Sequence, residues 1–231
     1  MKEVNLLNSI KIFWDIDGTL LKTNGAAAIA FAESVSEFAG AEVIIDRKKL
    51  SGLTDYEIVF SLLKSFNIHV GVKEADAILE LYAEKLPSAL SKGKVEKINN
   101  VENVLMGLSE IPQIELAIGT GNFSLGARIK LDHVNLIKYF SDKNFFCAST
   151  SYWTRNSVIQ NAKNSIARRQ TGIVIGDSPQ DILSAKHVGM KIISVPTGAH
   201  SQGELERLMP DLALSADWNY EDLITGISQL I

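Results

Sequence analysis

Cysteine, proline and surplus positive charge are all scarce in this chain. A single cysteine, Cys147, stands among 231 residues. It cannot form an internal disulfide, so a reducing, cytoplasmic setting is expected. Five prolines and sixteen glycines exclude a collagen-like or low-complexity chain. A formal charge of -4 offers no basic field of the kind that draws nucleic acid or an anionic membrane, so neither partner is expected. Every apolar run breaks within about ten residues, well short of the roughly 20 that a membrane-crossing helix needs. The opening MKEVNLLNSIKIFWDID also lacks the basic start, apolar run and small-residue cleavage site of a secretory leader. What remains is 46% hydrophobic and 22% charged, an ordinary globular composition. A chain of this length can bury roughly 70% of its unfolded surface without staples.

Short apolar, β-rich runs punctuated by Gly, Asp or Thr predict buried strands at 10–14, 114–118, 144–148, 172–175 and 191–195. Helical spacing falls between most of them, at 101–109, 125–136, 157–168 and 180–188. This alternation argues an α/β fold, a parallel sheet covered on both faces. Residues 21–97 break the pattern. They carry amphipathic helical stretches at 24–38, 55–66 and 73–90, with Gly40 and Asn67 as stops, and no convincing strand. The expected organisation is a core of 1–20 and 98–231, interrupted by a helical cap of 21–97. The run from Gly25 to Ala28 reads as a small-residue helix face rather than a linker.

Three motifs follow predicted strands. In Asp15-Ile16-Asp17-Gly18-Thr19-Leu20, side chains two apart in an extended chain point the same way, so both carboxylates can face one small volume while Gly18 turns the backbone. A calcium loop would need Gly at the sixth position, whereas Gly18 is fourth. Gly176-Asp177-Ser178-Pro179-Gln180-Asp181 brings two more carboxylates to a strand end, although Asp181 also suits the first turn of a helix. Thr120-Gly121-Asn122 offers a hydroxyl and amide groups at a helix start, where anions are favoured. A dinucleotide fingerprint is not completed, since no third glycine follows at the required spacing. Arg155, just past the third strand, is the best-placed fixed cation, whereas Arg168 and Arg169 read as helix-end charges without a site role. Trp153 is a candidate wall of the site, and Cys147 and Trp218 read as core.

In an open parallel sheet, ligands bind beyond the carboxyl ends of strands. Adjacent first, second and fourth strands would bring Asp15, Thr120 and Asp177 within about 10 Å. Crowded carboxylates need a cation, and hard oxygen ligands suit Mg²⁺. The indicated chemistry is phosphoryl transfer, with Thr120, an amide and Arg155 on the phosphoryl oxygens.

The order DIDGTL, TGN, an Arg before a helix and GDSPQD resembles the haloacid dehalogenase-like superfamily, in its phosphoglycolate-phosphatase-like branch; GLTDYEIV, TGNFSLGARIKL and GDSPQDILSAKHVGM extend the resemblance over nearly the whole chain. It implies a three-layer Rossmann-like core with an inserted all-helical cap that closes over the site. It implies a phosphatase acting on a small phosphorylated metabolite, with Asp15 as nucleophile and Asp17 as general acid and base. It further implies Mg²⁺ held by Asp15, Asp177 and the Asp17 backbone carbonyl, phosphate held by Thr120, Gly121 and Arg155, and support from Gly18, Thr19, Asn122 and Asp181. Trp14, Arg155 and Leu53 stand where such proteins often carry Phe, Lys and Arg. The Leu53 departure removes a cap cation, so a second anionic group on the substrate is not assumed. A phosphomutase and a non-catalytic protein that keeps the fold are the competing readings.

Overall fold

The computed structural model describes residues 9–46 and 48–231. Its elements run β1 (Ser9–Trp14), β2 (Leu21–Lys22), α1 (Ala26–Ala39), α2 (Asp55–Lys64), α3 (Val72–Lys92), β3 (Glu96–Lys97), α4 (Val101–Ser109), β4 (Ile114–Phe123), α5 (Ser124–His133), β5 (Phe145–Ala148), α6 (Arg155–Asn164), β6 (Gln170–Gly176), α7 (Pro179–Val188), β7 (Lys191–Ser194), α8 (Gln202–Glu206), β8 (Leu212–Ala213) and α9 (Tyr220–Leu230).

Strand β1 is buried on both faces because it lies inside the sheet, and its buried Lys11 is paired with Asn144 and Glu115. The order is β5-β4-β1-β6-β7-β8, with every pair parallel. Alternation along the strands divides the core into two layers. Ile10, Ile12 and Trp14 join Leu116, Ile175, Leu105 of α4 and Ile227 of α9 on one face. Phe13 joins Val174, Ile159 of α6 and Ile182 of α7 on the other, continuous with apolar residues of α1 to α3. The chain leaves β1 toward β4 and β5, then returns past β1 to β6. That reversal opens a crevice at the carboxyl ends of β1, β4 and β6. The fold is a Rossmann-like α/β core carrying an inserted helical cap.

The five expected strands are all present, and a sixth, β8, extends the sheet. Residues 21–97 also hold two short strands that the sequence pattern did not predict. Leu21 pairs with Lys97 and Lys22 with Glu96 in an antiparallel ribbon at the root of the insert. Two-residue strands show no periodicity, and the pairing that creates them spans some seventy residues. Helix ends shift as well: α6 begins at Arg155 and stops at Asn164. Arg168 and Arg169 therefore lie in an exposed turn before β6, not at a helix end. Cys147 is buried, and burial pushes its thiol up to about 12. Trp218 is buried and lies 6.2 Å from Trp14, ring centroid to ring centroid.

Candidate active site

A cleft of about 380 Å³ lies over the carboxyl ends of the central strands. Asp15, Asp17, Gly18, Gly121, Asn122, Arg155 and Asp177 all line it. The three sequence motifs, more than a hundred residues apart at their extremes, therefore meet in one place. Their convergence follows from strand adjacency, since β1 is flanked by β4 and β6.

Asp15 leaves β1 with its carboxylate on Arg155, Oδ1 to Nη2 at 3.1 Å. Burial raises its pKa to about 6, against the pull of Arg155 and of the neighbouring Thr120 hydroxyl. Asp177 is buried nearby and its pKa is also raised, first by burial and then by Asp181 and Asp15. Thr19 donates to Asp177 Oδ1 at 2.9 Å. Gly18, at φ +89°, and Gly198 crowd the same carboxylate so closely that a Cβ on either would overlap it. Asp181 completes the group, and the three residues each offer a carboxylate oxygen within 4.8 Å of the others. Its second oxygen closes the capping box of α7, accepting from Ser178 N at 3.0 Å and Ser178 Oγ at 2.6 Å. Its first oxygen pairs with Arg155.

Arg155 is the first helical residue of α6, following a Thr154 cap. Burial works against its charge, but Asp181 and Asp15 outweigh that and hold the guanidinium firmly protonated. Its Nε is buried without a partner. Thr120 is buried, with its hydroxyl accepting from Asn122 Nδ2 at 2.9 Å. Trp153 is not among the cleft-lining residues. It packs edge-on against Phe60 of α2, centroids 5.6 Å apart.

Asp17 points elsewhere in the cleft. Its Oδ2 accepts from Asn122 Nδ2 at 2.9 Å and from Lys130 Nζ at 2.5 Å. Lys130 was not singled out by sequence reasoning. It is buried on α5 and also donates to Asn122 Oδ1 at 2.6 Å. Burial opposes its charge, yet Asp17, Tyr82 and Asp55 raise its pKa. The signal was available, because Lys130 falls on the inward stripe with Ala127 and Leu131, where a lysine needs a partner.

Asp55 was likewise missed. It opens α2 within the GLTD stretch and accepts from Phe123 N at 2.9 Å. Burial lifts its pKa to about 6. Thr54 beside it donates to the Trp153 carbonyl at 2.5 Å. The Leu53 carbonyl comes within 2.8 Å of where a Cβ on Gly121 would sit. One end of the cap is thus clasped against the loops after β4 and β5.

These raised carboxyls carry a pH signature. Between about pH 4 and pH 6, Asp15 and Asp55 retain protons in the folded chain that the unfolded chain has released. Metal-free protein is therefore expected to lose stability as pH rises through that interval, with Asp177, whose pKa burial also raises, pulling in the same direction. The share of Asp55 alone is about 2–3 kcal/mol. Urea unfolding in EDTA from pH 4.5 to 7.5 measures this, with Asp55→Asn flattening the slope. A wild-type profile that rises over the interval contradicts it.

The family model for haloacid dehalogenase-like hydrolases matches residues 12–195. No curated relative matches the sequence. A solved structure described as a predicted phosphatase from Clostridium acetobutylicum is 19% identical, with a TM-score of 0.73, covering 96% of this chain and 99% of that one. A hydrolase of family IA, variant 3, from Entamoeba histolytica is 17% identical, with a TM-score of 0.69 and coverage of 95% and 99%. CbbY from Rhodobacter sphaeroides, solved with phosphate, is 17% identical, with a TM-score of 0.69 and coverage of 90% and 95%. The structural likenesses establish the shared fold, and the family match spans most of the chain, including the Asp15, Thr120 and Asp177 motifs of the cleft. The chain belongs to the haloacid dehalogenase-like hydrolase family.

Proposed function

We propose that the protein is a Mg²⁺-dependent phosphatase of the phosphoglycolate-phosphatase-like branch, releasing phosphate from a small phosphorylated metabolite through an aspartyl-phosphate on Asp15. The observation that carries this reading is the separation of two carboxylates only two residues apart. Asp15 sits among Arg155, Asp177 and Asp181, where a phosphoryl group and a cation belong. Asp17 faces Asn122 and Lys130 with its side chain 40% exposed, where it can meet a leaving oxygen.

The all-oxygen donor set fits Mg²⁺. The Gly18 and Gly198 cradle around Asp177 supports the fit, since it leaves that carboxylate one position. Asp15 and Asp177 carboxylates and the Asp17 backbone carbonyl would hold the ion, with Asp181 steadying Arg155 and the turn before α7. Bound there, Mg²⁺ offsets the charge of the phosphoryl oxygens.

The chain's own residues do the rest. Asp15 Oδ attacks phosphorus as the bond to the alcohol oxygen breaks, and Asp17 gives that oxygen its proton. Asp17 then takes a proton from water as the water oxygen attacks the same phosphorus, which frees Asp15 and inorganic phosphate. Thr120, the Gly121 amide and Arg155 bind the equatorial oxygens. Residues 21–97 act as the cap, keeping bulk water out while the substrate reacts.

The test is phosphate release from an aryl phosphate with Mg²⁺ and again with EDTA. Release only with Mg²⁺ is expected. Interconversion of sugar phosphates without net phosphate release would point to a mutase instead, and inactivity toward every phosphomonoester tried would sink the reading. Gly198→Ala adds a finer check. It should raise the Mg²⁺ needed for half-maximal release about 10–100-fold, as displacement of a ligand's support does, measured at a temperature where the variant, whose new Cβ crowds buried Asp177, is still folded. An unchanged Mg²⁺ requirement would remove Asp177 from the ligand set.

A further inference from the structure

Arg155 and Lys130 each hold one of the two carboxylates that leave β1. Arg155 is bound to Asp15, while Lys130 of α5 is bound to Asp17. Both donors that reach Asp17, Lys130 Nζ at 2.5 Å and Asn122 Nδ2 at 2.9 Å, fall on the one oxygen Oδ2. Lys130 also donates to Asn122 Oδ1 at 2.6 Å, which closes a ring of three residues. Among the described residues, no donor is directed at Asp17 Oδ1. Cap groups cover the ammonium: the Tyr82 phenol of α3 and the Asp55 carboxylate of α2 both act on it, and the Tyr82 ring lies against α5 at Gly126. An ammonium on this stripe of α5, beside Ala127 and Leu131, is buried at a cost that an apolar side chain would avoid. Asp17 does not need it to satisfy a charge, because its side chain is 40% exposed and open to water.

We propose that Lys130 is a positioning residue for proton transfer, fixing Asp17 Oδ2 so that Oδ1 is the oxygen that gives its proton to the leaving group. The proposal rests on the phosphatase reading and assigns the geometry of its acid. A protonated carboxyl has one O–H and one carbonyl-type oxygen, and the latter is the better acceptor for an ammonium and an amide together. With both donors on Oδ2, the proton stands on Oδ1. As the bond between phosphorus and the alcohol oxygen breaks, the Oδ1 proton passes to that oxygen, and Asp17 is left as a carboxylate paired with Lys130. Two donors on one oxygen also oppose rotation of the carboxyl group, which would exchange the two oxygens. Such placement matters, since misplacing a reacting group by about 1 Å can cost about 10²-fold in rate. Lys130 acts through Asp17.

The test uses leaving groups of graded acidity. The ratio kcat/KM with Mg²⁺, which reports the steps through departure of the alcohol, is measured for para-nitrophenyl, phenyl and benzyl phosphates. A nitrophenolate departs with little help from a proton, whereas benzyl alcohol needs one. Lys130→Met is expected to lose at least about tenfold more on benzyl phosphate than on para-nitrophenyl phosphate, with phenyl phosphate between them. Each loss is taken against wild type on the same ester, so differences in binding between esters cancel. A residue that only supports the fold would lower all three alike. Should Lys130→Met not fold, Lys130→Gln carries the same comparison with the same expectation, since its amide keeps a polar group in that space. A second readout needs no turnover. Crystals of the wild type with Mg²⁺ should show one Asp17 conformer with Oδ2 on Asn122, and crystals of the variant should show Asp17 turned away or split between conformers. Equal losses on the three esters, or an Asp17 that keeps its place in the variant, overturns the proposal. Wild-type inactivity on every ester together with a displaced Asp17 in the variant sinks the phosphatase reading and leaves the hold of Lys130 on Asp17 standing.

Discussion

Asp15→Asn is expected to lower Mg²⁺-dependent phosphate release by about 10⁴-fold or more, the scale seen when a covalent nucleophile is removed. The amide has nearly the same shape but cannot attack phosphorus, so the loss falls on the chemical step. A structural side effect is separable, because burial already disfavours the charged carboxyl and raises its pKa to about 6. A neutral group at this position removes that penalty. Metal-free Asp15→Asn should therefore melt no lower than metal-free wild type at pH 7.5, even as activity disappears. Residual turnover within tenfold of wild type would show that phosphorus is attacked by some other group.

Arg155→Met is expected to cost both stability and activity. Arg155 pairs with two buried carboxylates, those of Asp15 and Asp181. Removing the guanidinium leaves them uncompensated, a change that typically destabilises by about 3–5 kcal/mol. It also takes a positive charge from the phosphoryl oxygens, worth roughly 10²–10³-fold in kcat. Arg155→Lys distinguishes charge from shape. A single ammonium restores the sign, but on a shorter stem than the one that carries Nη2 to Asp15, Asp181 and the Gly119 carbonyl. Recovery should thus be partial in both quantities, read by denaturant unfolding and by initial rates. Wild-type stability in Arg155→Met would mean that Asp15 and Asp181 find other partners, and would discard this account of the cluster.

Local signals carried much of the architecture. Largely apolar runs followed by Asp or Thr marked β1, β4 and β6 because strands buried on both faces are mostly apolar and end where the chain turns. The motif residues at those ends were visible for the same reason. Lys130 and Asp55 were not identified, because their significance is a matter of partners. A lysine on a helix reads as a solvated charge until Asp17 and Asn122 are seen beside it. Asp55 reads as an ordinary first-turn carboxylate until Phe123 N is found donating to it. The Trp153 expectation placed the residue near the right loop, yet its ring packs on Phe60 rather than lining the cleft.

The sequence by itself determined the α/β alternation, the helical insert and the residue types that meet at the cleft, since these depend on periodicity and on chemistry carried within a few residues of each other. Only the tertiary structure decided the β2–β3 ribbon, the edge strand β8, the pairing of Lys130 with Asp17 and the close approach of the Leu53 carbonyl to Gly121. Each of these joins segments distant in sequence. Their formation depends on strand order and helix packing across the whole core, and no window of a few residues contains that information.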